Sequence, residues 1–299
     1  MDTFAWNFLQ NEMKKLLSGI CLLVVMGACV GGKKQADTVV PDVAAVDSVP
    51  DELDTVVWMD DWKEEEPDIP AKADELFDDF LYNFAIDEKL QEKRIVFPLA
   101  WYKDDRKDSI TKDEWIYDPL FSRYDSYTVL YDQAKDMEVD KGASSTSVQI
   151  EWVYLQDRRI RRYYFERVDG DWILEAIDDA AMPKEEEESE NFYEFYARFV
   201  GDSVFQAERV STPLPFVTLD PEDEFQVLET TLNERQWFAF QPTLSKEYLT
   251  NVNYGQGLDN RSKTRIVELK GFGNGFYNTL HFRRKNGVWM LVRFEDLGD

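Results

Sequence analysis

His281 is the single histidine of this 299-residue chain, so a Ser-His-Asp triad would have to be built on it. No G-x-S-x-G elbow accompanies it. His281 stands beside Phe282 in a strand pattern, where a lone histidine is ordinarily a packing or surface residue. Acid-base chemistry of the isomerase or dehydratase kind needs a carboxylate or histidine raised in pKa inside an apolar cavity. His281, Glu151 and Glu175 are the candidates for that role, and none is marked by spacing. A zinc cage needs several His or Cys ligands, and the chain offers one histidine and two cysteines, Cys21 and Cys29. No Asp-x-Asp-x-Asp-Gly calcium loop is present. Neither a metal nor a cofactor is expected.

Gly201-Asp202-Ser203-Val204 has the letters of a GDS-type hydrolase block, but Asn278 stands where such a block's distant Asp-x-x-His would want aspartate. The segment reads as a helix end with Gly201 at the cap. Gly271 to Gly275 lacks the Lys-Ser/Thr of a phosphate loop and reads as a hairpin turn. Arg158-Arg159-Ile160-Arg161-Arg162 is the densest basic cluster, expected to pair with the protein's own carboxylates rather than to dock an acidic partner. Trp101, Tyr102, Trp115 and Tyr117 fall in less regular segments, where ring faces stack on sugars or line an apolar pocket. Trp101, Trp115 and Tyr164, the counterpart of His281, are the candidate ligand contacts.

The elements that must position these residues occur twice. The stretch FERVDGDWILEAIDD from Phe165 returns 117 residues later from Phe282 as FRRKNGVWMLVRFED. Phe77, Phe80, Phe84, Gln91, Arg94 and Pro98 meet Phe192, Phe195, Phe199, Gln206, Arg209 and Pro213 at a constant spacing of 115. A register kept this long is the mark of two copies of one domain. Each copy opens with an amphipathic helix: Leu76, Phe77, Phe80, Leu81 and Phe84 share one face, as do Phe192, Phe195, Tyr196, Phe199 and Val200. A second short helix is expected over about Asp87 to Val96, and a short strand over Leu99 to Tyr102 before a mixed segment from Glu114 to Tyr131. Period-two alternation at Val148, Ile150, Trp152 and Tyr154 predicts strands, and Asp169-Gly170 and Asn286-Gly287 predict tight hairpins.

Helices followed by an antiparallel sheet argue an α+β class. With Asp169-Gly170-Asp171-Trp172 and Asn286-Gly287-Val288-Trp289 following amphipathic helices, the order resembles the nuclear-transport-factor-2-like (NTF2-like) fold, a curved sheet wrapped on a helix into an open cone. The resemblance implies two tandem cones, over residues 70–182 and 189–299, joined by an acidic linker at 183–188.

The N-terminal region reads as an export signal. Met13-Lys14-Lys15 is a short basic region and an alternative start, and Leu16 to Met26 is an apolar run too short to span a bilayer. Met26-Gly27-Ala28-Cys29 resembles the bacterial lipoprotein box, which implies cleavage after residue 28 and acylation of Cys29. Residues 29–69, acidic and rich in Val, Asp, Ala and Pro, read as a solvated tether. The mature chain would then hold no disulfide, and its core would rest on apolar burial alone. Signal, tether and two halves together resemble a family of uncharacterised lipoproteins of the Bacteroidales carrying a domain of unknown function. That likeness implies a place in the bacterial cell envelope, on the periplasmic face or the cell surface.

Lys plus Arg number 34 against 60 Asp plus Glu, a net charge of −26. Such a surface repels phosphate backbones, which excludes nucleic acid, and it repels anionic lipid, so the acyl group must do the anchoring to the membrane. The partners left are small ligands or envelope proteins. The expected function is a non-catalytic binding module; the alternatives are an isomerase-like enzyme in one cone, or an assembly piece in which the halves pack face to face as an intramolecular pseudo-dimer.

Overall fold

The first aromatic stripe folds as helix α1 (Phe77–Ile86), which buries Phe77, Phe80, Leu81, Phe84 and Ala85. Leu76, expected on the same face, is instead the N-cap and is exposed, because the chain has not yet turned helical there. The computed structural model describes residues 76–104, 106–141, 145–182 and 190–298. The signal, Cys29, the tether and the linker at 183–188 lie outside the described residues. Among the described residues no helix is long and apolar enough to cross a membrane.

Asp87 caps the next helix, α2 (Glu88–Lys93), by accepting from the backbone N–H groups of Lys89 and Leu90. The helix expected to reach Val96 stops at Lys93, and β1 (Ile95–Lys103) carries Pro98 inside a strand longer than the sequence suggested. There follow β2 (Arg106–Ile110), β3 (Ser126–Tyr131), β4 (Ser147–Tyr154), β5 (Arg159–Val168) and β6 (Asp171–Ala181), with single 3-10 turns at Lys112–Glu114 and Leu120–Arg123. The second half runs α3 (Phe192–Gly201), α4 (Ser203–Glu208), β7 (Leu214–Asp220), β8 (Asp223–Leu232), α5 (Glu234–Phe240), β9 (Tyr248–Asn253), β10 (Thr264–Gly271), β11 (Tyr277–Lys285) and β12 (Val288–Asp296).

Ladder registers repeat between the halves. Ile150 faces Tyr163 and Val267 faces Leu280, each pair 117 residues from its counterpart. Both closing hairpins turn on a left-handed pair, Asp169-Gly170 (φ 53° and 95°) and Asn286-Gly287 (φ 50° and 82°). Asp and Asn tolerate this region and glycine has no Cβ to oppose it. The spaced Arg94 and Arg209 also act alike, since their guanidinium Nη1 atoms donate to the carbonyls of Trp172 and Trp289, at 3.4 and 3.1 Å.

Two six-stranded sheets result, β2-β1-β6-β5-β4-β9 and β3-β10-β11-β12-β7-β8. The edges are exchanged. β9 of the second half closes the first sheet on β4, and β3 of the first half closes the second sheet on β10. Where they cross, Thr128 and Thr250 bond reciprocally: each N–H donates to the other's Oγ1, at 2.6 and 2.9 Å. Asn251 is fully buried; its Oδ1 accepts from Leu130 N at 2.9 Å and its Nδ2 donates to Glu151 Oε2 at 2.8 Å. The sequence expectation of two halves meeting face to face did not contain this interleaving. Each half keeps an aromatic core, around Phe80, Phe84, Phe165 and Trp172 in one and Phe195, Phe199, Phe282 and Trp289 in the other.

Candidate functional site

In the first half, the inner end of the sheet stays open. A cleft of about 440 Å³ is lined by Trp101, Ile110, Trp115, Asp118, Arg161 and Tyr163 among others. Sheet alternation explains which residues reach it. Tyr163 and Phe165 point to the aromatic core, so Arg161 on the same face reaches the cleft, while Arg162 and Tyr164 face the other way. Trp101 sits on β1 beside Ile177 of β6. Trp115 follows the 3-10 turn that Thr111 and Glu114 close as a capping box.

Buried Gln91 fixes the far wall. Its Oε1 accepts from Trp115 Nε1 at 3.1 Å and from Asp118 N at 2.9 Å, while its Nε2 donates to the carbonyls of Phe84 and Asp118. Tyr163 donates its hydroxyl to Asp118 Oδ2 at 2.5 Å. Burial, then the Asp118 charge and this bond, push the Tyr163 hydroxyl well above its ordinary pKa, so it is a fixed donor rather than an acid at neutral pH. On the near wall Arg161 grips Asp179 through Nε and Nη2 at 2.8 and 2.9 Å, and Trp101 Nε1 donates to the same carboxylate at 2.9 Å. Burial alone would raise Asp179, but the bonds and charge of Arg161 with the Trp101 bond outweigh it and hold the carboxyl below the usual value. Lys103 Nζ lies 3.3 Å from the Trp101 ring centroid and covers one of its faces. A more polar hollow of about 330 Å³, lined by Lys103, Arg106, Tyr154, Arg159 and Asp179, shares Arg161 with the cleft.

At the matching place of the second half, aromatic rings pack against one another. Trp101 is matched on the ladder by Phe216, Tyr163 by Leu280, Ile177 by Phe294 and Arg161 by Asn278, which donates to Asp296 at 2.7 Å. Phe216 stacks on Phe294 at 5.1 Å and on Phe240 at 6.2 Å, and Trp237, wholly buried, packs edge-on against Phe294. Where Trp101, Arg161 and Tyr163 surround an opening in one half, the other places Phe216, Asn278 and Leu280.

The residues singled out in the sequence divide sharply. Trp101 and Trp115 line the cleft together. Tyr164 does not; alternation turns it to the opposite face, and its neighbour Tyr163 takes the place expected of it. Glu151 also faces away, held by Arg162 Nε at 2.7 Å and by Asn251. Glu175 is the extra residue where the β5–β6 register slips between the pairs Tyr164–Ala176 and Phe165–Leu174, and burial raises its carboxyl. His281, across its sheet from Leu280 and Phe282, bonds Glu295 Oε1 at 3.0 Å, which Arg293 Nε also meets at 2.6 Å. Bonding to His281 first, then to Arg293, holds Glu295 low against its burial. The three acid-base candidates therefore do not converge. Asp202 caps α4 by accepting from Val204 and Phe205, which is the work of the Gly-Asp-Ser segment. The arginine cluster pairs internally: Arg158 with Glu194, Arg159 with Asp104, Arg161 with Asp179, Arg162 with Glu151 and Asp178. Among the described residues no three His, Cys, Asp or Glu side chains gather as a metal cage. Gln91, Asp118, Arg161 and Tyr163 were missed as site residues. Gln91 carried a signal, since a polar residue repeated at 115 in an apolar stripe is a buried hydrogen-bonding post.

Comparison with known proteins places the chain. No curated protein matches it. An NTF2-like protein from Bacteroides fragilis NCTC 9343, solved by crystallography, is similar over 77% of this chain and 99% of its own, at 48% identity and a TM-score of 0.74. The mixed α+β architecture with two sheets matches an NTF2-like fold. Residues 55–296 match the family model described as a domain of unknown function, DUF4348, and the chain belongs to that family.

Proposed function

We propose that the protein is a lipid-anchored binding module of the bacterial envelope, made of two tandem cones of which the first holds the ligand. The observation that carries this reading is the asymmetry of the interiors: Trp101, Trp115, Asp118, Arg161 and Tyr163 around an open cleft, against Phe216, Trp237, Leu280 and Phe294 buried together at the matching place. A copy kept for architecture can fill its pocket, whereas a pocket kept open and polar costs stability and is retained for use. Arg161 is neutralised by Asp179, while Asp108, Glu114 and Asp118 also line the cleft, so its field favours a ligand with an apolar body and a neutral or cationic polar end. Tyr163, raised in pKa and tied to Asp118, supports binding over proton transfer. The lipobox at Cys29 and the acidic tether support the anchored location. A thermal-shift screen of primary amines, short basic peptides, sugars and bile acids tests the reading. Ligand at 100 times its Kd adds about 2.7 kcal/mol, and the shift should vanish in Trp115→Ala and Asp118→Asn. A shift that survives both variants would overturn it.

A further inference from the structure

The exchange of edge strands leaves a second hollow, separate from the cleft of the first cone. It measures about 550 Å³ and is walled by Tyr124, Tyr127, Tyr196, Leu244, Tyr248 and Leu269, with Thr128 and Thr250 at its base. Both halves contribute to it, β3 and the residues before it from one, α3, β10 and the segment leading into β9 from the other. Its size falls in the range of small-molecule sites.

Trp152 faces Thr250 on the first sheet, and Leu269 faces Thr128 at the matching place on the second. Counting by the 122-residue step between Thr128 and Thr250, Phe121 is matched by Thr243. In the first half Phe121 and Trp152 pack together at 5.4 Å; at the matching places of the second, Leu269 and the exposed Thr243 border the open hollow. Tyr196, where the first half has Leu81 at the 115-residue step, reaches into that space. Its side chain is 1% exposed, and its hydroxyl makes no hydrogen bond among the described residues. Facing the open hollow rather than sealed in the core, this hydroxyl is placed to donate to a ligand oxygen. Burial also raises the Tyr196 pKa, so the group presents a proton to be accepted.

We propose that this seam cavity is a second binding site, for an uncharged glycoside whose pyranose ring lies against the tyrosine rings and whose oxygen accepts from the Tyr196 hydroxyl. The charged lining groups, Asp125, Lys246 and Glu247, are all exposed at the rim, so the interior offers nothing to an ion. Ser126 and Thr243 supply hydroxyls that both donate and accept, which suits a ligand that does the same.

The test titrates methyl β-D-glucopyranoside into the full chain and reads saturation transfer from tyrosine ring protons. Tyr196→Phe removes a hydroxyl that bonds to nothing, so the empty protein should keep its Tm while the glycoside binds about fivefold to tenfold more weakly. Thr243→Phe, which sets a ring at the exposed rim of the hollow, should narrow it and weaken transfer in a protein that still melts cooperatively. Absence of transfer in the unmodified chain, or equal affinity in Tyr196→Phe, would overturn the proposal.

Discussion

Asn251 pins an exchanged strand, and replacing it with leucine tests how far the interleaving carries the stability. The change preserves volume but removes two bonds, the acceptor for Leu130 N and the donor to Glu151 Oε2. An unsatisfied buried N–H costs about 1–3 kcal/mol, and a hydrogen bond to a charged group is worth about 1.5–3 kcal/mol. Glu151 keeps Arg162, so the lower end applies to the second loss. Leucine returns about 1 kcal/mol by burying apolar surface, which leaves a net loss of about 2–3 kcal/mol. For a unit of this size that lowers Tm by roughly 4–12 °C. Scanning calorimetry on Asn251→Leu, Glu151→Gln and the double variant gives both the shift and the coupling. The two residues touch, so the cycle should show a coupling of at least about 0.5 kcal/mol. A single variant that melts within a degree of the parent, or strictly additive losses, would refute the assignment and return Glu151 to the pool of chemical candidates.

Three further outcomes follow from the same geometry. Trp237→Ala should cost about 3–5 kcal/mol in urea unfolding as a large core truncation, while Trp115→Ala, bordering the open cleft, should cost clearly less; equal losses would contradict the packed-against-open reading of the two halves. A protease site placed in the 183–188 linker should, when cut, leave halves that elute together at micromolar concentration, because each carries a strand of the other's sheet; separation into two peaks would contradict it. Asp179 has a folded pKa below its unfolded value of about 3.9, so its contribution is fully present above about pH 5 and is lost as the pH falls through the folded value. Asp179→Asn should flatten the acid limb of the stability curve below about pH 4, and an unchanged limb would show that the carboxylate is not held by Arg161 and Trp101.

Much of the architecture was legible in the residues. The stripes at Phe77 to Phe84 and Phe192 to Phe199 fixed helix faces, and Asp169-Gly170 and Asn286-Gly287 fixed the hairpins, because period and turn chemistry are local properties. The strand exchange was not, since Tyr-Thr-Val-Leu-Tyr at 127–131 and Tyr-Leu-Thr-Asn-Val at 248–252 specify an alternating face and leave the partner strand open. The cleft was half legible. Trp101 and Trp115 stood out as aromatics off the regular stripes, but choosing Tyr163 over Tyr164 requires knowing which face of β5 meets the core. That is set by long-range packing, which a single sequence does not display.

The crossing of β3 and β9 also dictates an order of events in synthesis. Glu151 and its partner Asn251 are 100 residues apart, and Tyr131 and Glu268 are 137 apart. A ribosome that has released the first half has not yet made the strand that closes its sheet, so vectorial folding of that half as a finished body is barred. Pairings of such high contact order are slow, because the chain must first close long loops without reward. Until the last third emerges, the apolar edge of β4 and the faces of β3 stay uncovered and prone to aggregation. Completing both sheets at once, after the whole chain is free to fold, meets that requirement.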